Sequence, residues 1–235
     1  MCRPVLLSSV AGIDKGTQKR DITMKVYIIR HGETYWNAEY RLQGRAGSDL
    51  NEDGIRLAEL TAESMRDIPF DLCFTSPSIR ARHTAEILLS GRDVEIREDP
   101  RLYELGFGIW EGKSLHPDHP DLPERPLFLS RDKDVFSYKP PEGGESLQDL
   151  IRRCGGFYQE LIHDAALQDK TILVSTHGAS SRALLYHVFE DKTDFWRGHV
   201  PQNCAVSILD IQNGEAKLEA FDRIYYPDSF KKHYY

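Results

Sequence analysis

A guanidinium, an imidazole and a glycine stand together in Arg30-His31-Gly32, directly after the apolar run Val26-Tyr27-Ile28-Ile29. Arginine is a fixed, forked donor for an oxyanion. Histidine is a nucleophile or proton carrier near neutral pH. Glycine lets a bound group approach the backbone closely. Ligands of α/β proteins bind where strands end, so the trio reads as the start of a phosphate site. Taken alone, it reads more readily as a loop with a surface imidazole.

Three further segments supply partners: Ser76-Pro77-Ser78-Ile79-Arg80-Ala81-Arg82-His83-Thr84-Ala85, Arg101-Leu102-Tyr103-Glu104-Leu105-Gly106-Phe107-Gly108-Ile109-Trp110-Glu111-Gly112, and Ser175-Thr176-His177-Gly178. Phosphoryl transfer from a monoester needs an in-line nucleophile and positive charge on the equatorial oxygens. It also needs an acid for the leaving alkoxide. His31 can attack through a neutral ring nitrogen. Arg30, Arg80 and His177 can bind phosphate oxygens, and Glu104 is the candidate acid. Each charge-assisted hydrogen bond contributes roughly 1.5–3 kcal/mol, so several cations can replace a metal. His177-Gly178 opens a helix after a buried strand, and such an N-terminus favours anions. The same positive field holds His31 neutral.

Each residue also has a plainer reading. His177 can be a helix cap, and Glu104 can pair with Arg101 on the surface. Glu111 competes with Glu104 for the acid role. Arg82 and His83 follow Arg80, but helical spacing points them elsewhere. His116, His119, His163, His187 and His199 lack a compact ligand pattern, so neither a metal nor another cofactor is expected.

These residues need a scaffold. Strands are expected at 25–29, 71–75, 94–97, 171–175, 205–210 and 217–221. Val26–Ile29, Leu72–Phe74 and Ile172–Val174 are apolar almost throughout, as in strands covered on both faces. Helices are expected at 52–66, 77–89, 147–165 and 179–189. The alternation implies a mostly parallel sheet covered by helices, an α/β protein. Ser76-Pro77 reads as an N-cap followed by proline at the first helical position. Ser146-Leu147-Gln148-Asp149 reads as a loose capping box. Gly155-Gly156 interrupts the fourth helix and reads as a bend. Residues 113–144 are rich in proline and break the alternation, as lids and binding segments do.

Composition narrows the class. The formal net charge of −7 argues against a nucleic-acid partner, so an anionic substrate needs a local positive pocket. Cys2, Cys73, Cys154 and Cys204 form no disulfide framework, which suits a reducing cytoplasm. No apolar run is long enough to span a membrane. Residues 1–23 lack periodicity and read as a flexible tail or an over-extended start. Residues 24–235 read as one domain.

The four segments together resemble the histidine phosphatase superfamily, also called the phosphoglycerate mutase-like family, from about Met24 to the C-terminal strands. The resemblance implies a three-layer α/β/α sandwich with its variable lid at 113–144. It makes His31 the residue phosphorylated in turnover and Glu104 the proton donor. Arg30, Arg80 and His177 become the phosphate pocket, assisted by Asn37, a residue that otherwise reads as a helix cap. Gln43-Gly44 matches a substrate-side loop. The segment Glu104-Leu105-Gly106-Phe107-Gly108 resembles the phosphatase branch, and 113–144 lacks the paired arginines of a mutase lid. The expectation is therefore a metal-independent phosphatase for small phosphorylated metabolites. The alternatives are a phosphoglycerate mutase-type isomerase and a non-catalytic phospho-ligand-binding member. A homodimer is left open.

Overall fold

The structure, a computed structural model, describes residues 23–118, 120–122 and 135–232. All of the expected tail except residue 23 lies outside the described residues. So do His119 and residues 123–134 of the expected lid.

Six strands form one sheet: β1 (Thr23–Arg30), β2 (Leu72–Thr75), β3 (Glu95–Glu98), β4 (Thr171–Thr176), β5 (Val206–Gln212) and β6 (Glu215–Arg223), in the order β3-β2-β4-β1-β5-β6. The four from β3 to β1 run parallel, and β5 and β6 each run antiparallel to the preceding strand. The helices are α1 (Tyr35–Ala38), α2 (Glu52–Ser64), α3 (Ile79–Leu88), α4 (Leu147–His163) and α5 (Gly178–Leu185).

The period of two along each strand divides the apolar residues between two cores. Val26, Ile28, Ile172 and Val174 pack with Leu150, Phe157 and Leu184 of α4 and α5. Ile29, Cys73, Leu173 and Val206 pack with Leu57, Ala85 and Leu88 of α2 and α3. The result is the three-layer α/β/α sandwich. Each buried aliphatic side chain contributes roughly 1.5–3 kcal/mol, so both faces of the sheet are strongly specified.

The strand ends matter most for the site. Arg30 pairs with Thr176 across β1 and β4, and Thr75 with Ser175 across β2 and β4. Three adjacent parallel strands therefore end on nearly one line. The residues that follow, His31, Ser76 and His177, emerge side by side.

Three local expectations fail. Ser76-Pro77 does not cap α3, whose N-cap is Ser78 with no side-chain cap bond. The Ser76 hydroxyl is spent on His177 instead, at 2.8 Å. Gly155-Gly156 does not divide α4, which is one uninterrupted helix. A Cβ at Gly155 would come within 2.5 Å of His187 Nε2, so glycine serves close packing there. Ser146 does cap α4, accepting from Asp149 N–H, but the Asp149 carboxylate meets the Ser146 hydroxyl and not its backbone N–H, so the expected box is half formed. The helix after β4 ends at Leu185, earlier than residue 189.

Candidate active site

His31 and His177 pack edge to face, with ring centroids 5.2 Å apart. Both are buried. Burial, then the Arg80 charge, then the Arg30 charge hold His31 well below its ordinary pKa of 6.5. His177 is held low by burial, then Arg80, with His31, Arg153 and Arg30 adding to it. Both rings are therefore neutral. His31 Nδ1 donates to the Gly32 carbonyl at 2.7 Å, since a carbonyl only accepts. That bond fixes the tautomer and leaves Nε2 with its lone pair. Gly32 is required here, because a Cβ would come within 2.7 Å of the Gly54 carbonyl at the start of α2.

The positive charges are held by backbone. Arg80 Nη2 donates to the Gly44 carbonyl at 2.7 Å, and Arg30 Nη1 donates to the Pro201 carbonyl. Arg30 Nε and His177 Nδ1 are buried and meet no hydrogen-bond partner among the described residues. A buried donor left unmade costs about 1–3 kcal/mol.

The sequence placed an anion at the start of α5, and the structure seats one there: the protein's own Glu104. Its Oε2 accepts from Ala179 N–H at 3.0 Å, and its Oε1 from Ser180 N–H at 3.1 Å. Oε1 also accepts from the Ser180 hydroxyl and Leu105 N–H. These donors include N–H groups that a first helical turn cannot satisfy internally. They fix the carboxylate at the rim of the histidine and arginine cluster. The surface pair with Arg101 does not form; Arg101 binds Asp99 and Glu160. Glu111, the rival carboxylate, takes bonds from Arg45, Ala46 and Phe107 N–H and so ties two loops together.

One pocket, with an empty volume of about 470 Å³ including its mouth, gathers Arg30, His31, Asn37, Gln43, Glu104 and Gly178. Arg80 and His177 adjoin it but are almost wholly buried, 1% and 0% exposed. Gly44 is not on the pocket wall; its contribution is the carbonyl that holds Arg80. Asn37 is part of a capping box with Thr34, and its Oδ1 accepts from Thr34 N–H at 3.2 Å. Gln43 donates to Thr34 Oγ1 at 2.8 Å, so both amides share one anchor. Arg82 and His83 turn away, to Glu86, Glu98 and Asp49.

Sequence reasoning missed the supports. Ser76 and Ser78 hydroxyls lie 2.8 and 3.2 Å from His177 Nε2. Asn203 Nδ2 donates to the His31 carbonyl at 3.0 Å. Arg153 donates to the carbonyls of Arg101, Tyr103 and Glu104, which fixes the acid's segment. Arg182, wholly buried, binds Asp222 and the carbonyls of Trp196 and His199. A lone arginine among Ala179, Ala183, Leu184 and Leu185 was the available signal. Leu42, Phe107, Trp196 and Val200 complete the pocket wall. Among the described residues no group of three or more His, Cys, Asp and Glu could hold a metal ion. Nor is any helix among them long and apolar enough to cross a membrane.

Sheet order, layers and pocket at the parallel strand ends define a phosphoglycerate mutase-like sandwich. The family model described as the histidine phosphatase superfamily (branch 1) matches residues 26–223, and the chain belongs to that superfamily. It is 32% identical over 202 residues to an adenosylcobalamin/alpha-ribazole phosphatase of Salmonella typhimurium, covering 85% of this chain and 96% of that one. It is 30% identical over 192 residues to a probable 2-carboxy-D-arabinitol-1-phosphatase of Arabidopsis thaliana. That match covers 81% of this chain but 39% of the plant protein, so the chain spans well under half of that relative. The solved structure of Bacillus stearothermophilus YhfR superposes with a TM-score of 0.73 at 28% identity, over 86% of this chain and 98% of that one. Membership brings phosphoryl-transfer catalysis of the hydrolase or mutase type in general.

Proposed function

We propose that this chain is a metal-independent phosphatase acting on small phosphate monoesters through a phosphohistidine at His31. The observation that carries the reading is the neutral His31, its Nδ1 tied to Gly32, in one pocket with Arg30 and Glu104. Nε2 attacks phosphorus and the ester P–O bond breaks. Glu104 takes the proton of the incoming phosphate monoanion and gives it to the departing alkoxide. Arg30, Arg80 and His177 stabilise the equatorial oxygens. Glu104 then takes a proton from water, whose oxygen attacks phosphorus as the P–N bond breaks. Inorganic phosphate leaves and His31 is restored. Asn37 and Gln43 border the ester side of the pocket. Curated relatives at similar identity carry phosphatase names and probable phosphoglycerate mutase names alike, so the choice of hydrolysis rests on the phosphatase-like segment Glu104-Leu105-Gly106-Phe107-Gly108. We further propose that residues 24–235 act as one cytoplasmic domain.

The test is turnover of an aryl phosphate by the full chain. His31→Ala is expected to lower kcat by about 10⁴-fold or more, as loss of a nucleophile does. Acid-labile phosphate should be trapped on the parent protein and be missing from the variant. Release of free phosphate without a bisphosphate primer separates hydrolysis from a mutase. Glu104→Gln should slow esters of poor leaving groups most. Retained turnover in His31→Ala would sink the covalent role.

A further inference from the structure

Four apolar side chains face the reaction centre across the pocket, and their origin is diverse. Leu42 follows α1, Phe107 follows the Glu104 segment, and Trp196 and Val200 lie between α5 and β5. Leu42, Phe107 and Trp196 are themselves nearly buried, at 2%, 5% and 5% exposure, so they form a packed surface and not a fringe. The loop that carries Trp196 and Val200 is pinned from behind. Arg182 donates to the Trp196 carbonyl at 3.1 Å and the His199 carbonyl at 3.0 Å, and Asp222 holds Arg182. The wall is therefore preformed, and its aromatic faces do not need to be ordered when a ligand arrives.

The charges on the pocket's described lining are the Arg30 guanidinium and the Glu104 carboxylate, beside the neutral His31. Arg30 belongs to the phosphoryl group and to the Pro201 carbonyl. Among the described lining residues a second anionic group on a substrate would meet no second cation: it would face hydrocarbon, the amides of Asn37 and Gln43, or Glu104. Burying an unpaired charge is strongly unfavourable, whereas apolar area gains from leaving water.

We infer that the pocket selects phosphate monoesters whose alcohol is apolar and uncharged, with Phe107 and Trp196 as specificity-determining residues. This rests on the phosphatase reading for its chemistry but is tested by binding alone. The probes are methylphosphonate, benzylphosphonate and 4-carboxybenzylphosphonate, which cannot be hydrolysed, titrated into the full chain by calorimetry. Benzylphosphonate should bind at least about tenfold more tightly than either of the others, the gain from burying one ring. Trp196→Leu and Phe107→Leu, which keep an apolar side chain at each position, should each reduce the ratio of benzyl- to methylphosphonate affinity several-fold. Binding of the carboxylated probe as tight as, or tighter than, that of benzylphosphonate overturns the inference by revealing a second cation. Equal affinities of benzyl- and methylphosphonate, or no binding of either, also overturn it. Selective benzylphosphonate binding without turnover of phenyl phosphate would leave this inference standing and remove the hydrolytic reading instead.

Discussion

The charged cluster and the apolar wall of the same pocket are built in opposite ways. The cluster sits on strand ends: Arg30 closes β1, His31 and His177 directly follow β1 and β4, and Arg80 lies in the first turn of α3. Its geometry is set by ladder pairing, Arg30 opposite Thr176, before any side chain is considered. The wall comes from three loops whose positions depend on the buried Arg182 with Asp222 and on Glu111 bridging to the backbone N–H groups of Arg45, Ala46 and Phe107. The residues proposed for chemistry, apart from Glu104, lie on or directly beside strands and helices, and those proposed to select the alcohol lie on loops, where variation leaves the sheet intact.

The largest expected effect separates the two by stability. Arg182→Met would leave Asp222 a largely buried carboxylate, 9% exposed, with His199 Nε2 at 2.9 Å and the Ser207 hydroxyl as its remaining side-chain partners. Breaking a buried pair from one side costs about 3–5 kcal/mol. Urea denaturation should show a loss of that size, and Arg182→Met with Asp222→Leu should recover much of it. In the surviving folded enzyme, KM for an aryl phosphate should rise more than kcat falls. A variant as stable as the parent would mean that the wall is not held this way.

The cluster should respond in the opposite sense, in rate. Arg80→Lys keeps a positive charge but loses the fork that reaches the Gly44 and Ala46 carbonyls and that is proposed to hold the phosphate. A fall of about 10²-fold in kcat/KM is expected, close to 2.7 kcal/mol of transition-state stabilisation. Urea stability should change less than in Arg182→Met. Undiminished kcat/KM in Arg80→Lys would exclude Arg80 from the phosphate pocket.

The same division explains what could be read from sequence. Arg30-His31-Gly32 and His177-Gly178 are local: a short apolar run, a strand end and a reactive pair fall in consecutive residues. Glu104 was legible as the carboxylate of its segment, although Glu111 could be set aside only when its bonds to three backbone amides were seen. Ser76 was read as a cap because Ser-Pro before a helix favours that conformation. Its hydroxyl instead meets a histidine 101 residues away, which no local pattern encodes. Trp196 and Val200 have no periodic signature, since loop side chains acquire a direction only from their anchors. Gly155 shows the reverse error, where a propensity argument for a bend yields to packing against His187.

pH sharpens the contrast further. His31 and His177 have folded pKa values held below 6.5, so the unfolded chain binds protons there that the folded chain refuses. Stability from these two groups is complete above pH 6.5 and declines as pH falls below it, until each folded pKa is reached. The slope is up to about 1.4 kcal/mol per pH unit for each histidine. Urea titrations at pH 7.5 and 5.5 should show a smaller loss of stability on acidification in His31→Gln with His177→Gln than in the parent. Wall substitutions should leave the parent slope in place. An unchanged slope in the double variant would mean that the buried rings accept protons in the folded state.

The smallest effect concerns one proton. His177 is neutral and carries a single N–H, while its Nε2 lies near two hydroxyls, Ser76 at 2.8 Å and Ser78 at 3.2 Å. If a hydroxyl donates to Nε2, the N–H is on Nδ1, the atom that meets no partner among the described residues and is free to donate to a phosphoryl oxygen. Ser76→Ala removes the shorter contact and leaves Ser78 in reach, so the tautomer should be weakened and not lost. The inhibition constant of inorganic phosphate should rise about fivefold, the worth of roughly 1 kcal/mol of hydrogen bonding. Ser76→Ala with Ser78→Ala should raise it further and move the His177 ring ¹⁵N resonances toward the other tautomer. A serine that merely packed would move neither reading, and Ser76→Thr, which keeps the hydroxyl, should restore both.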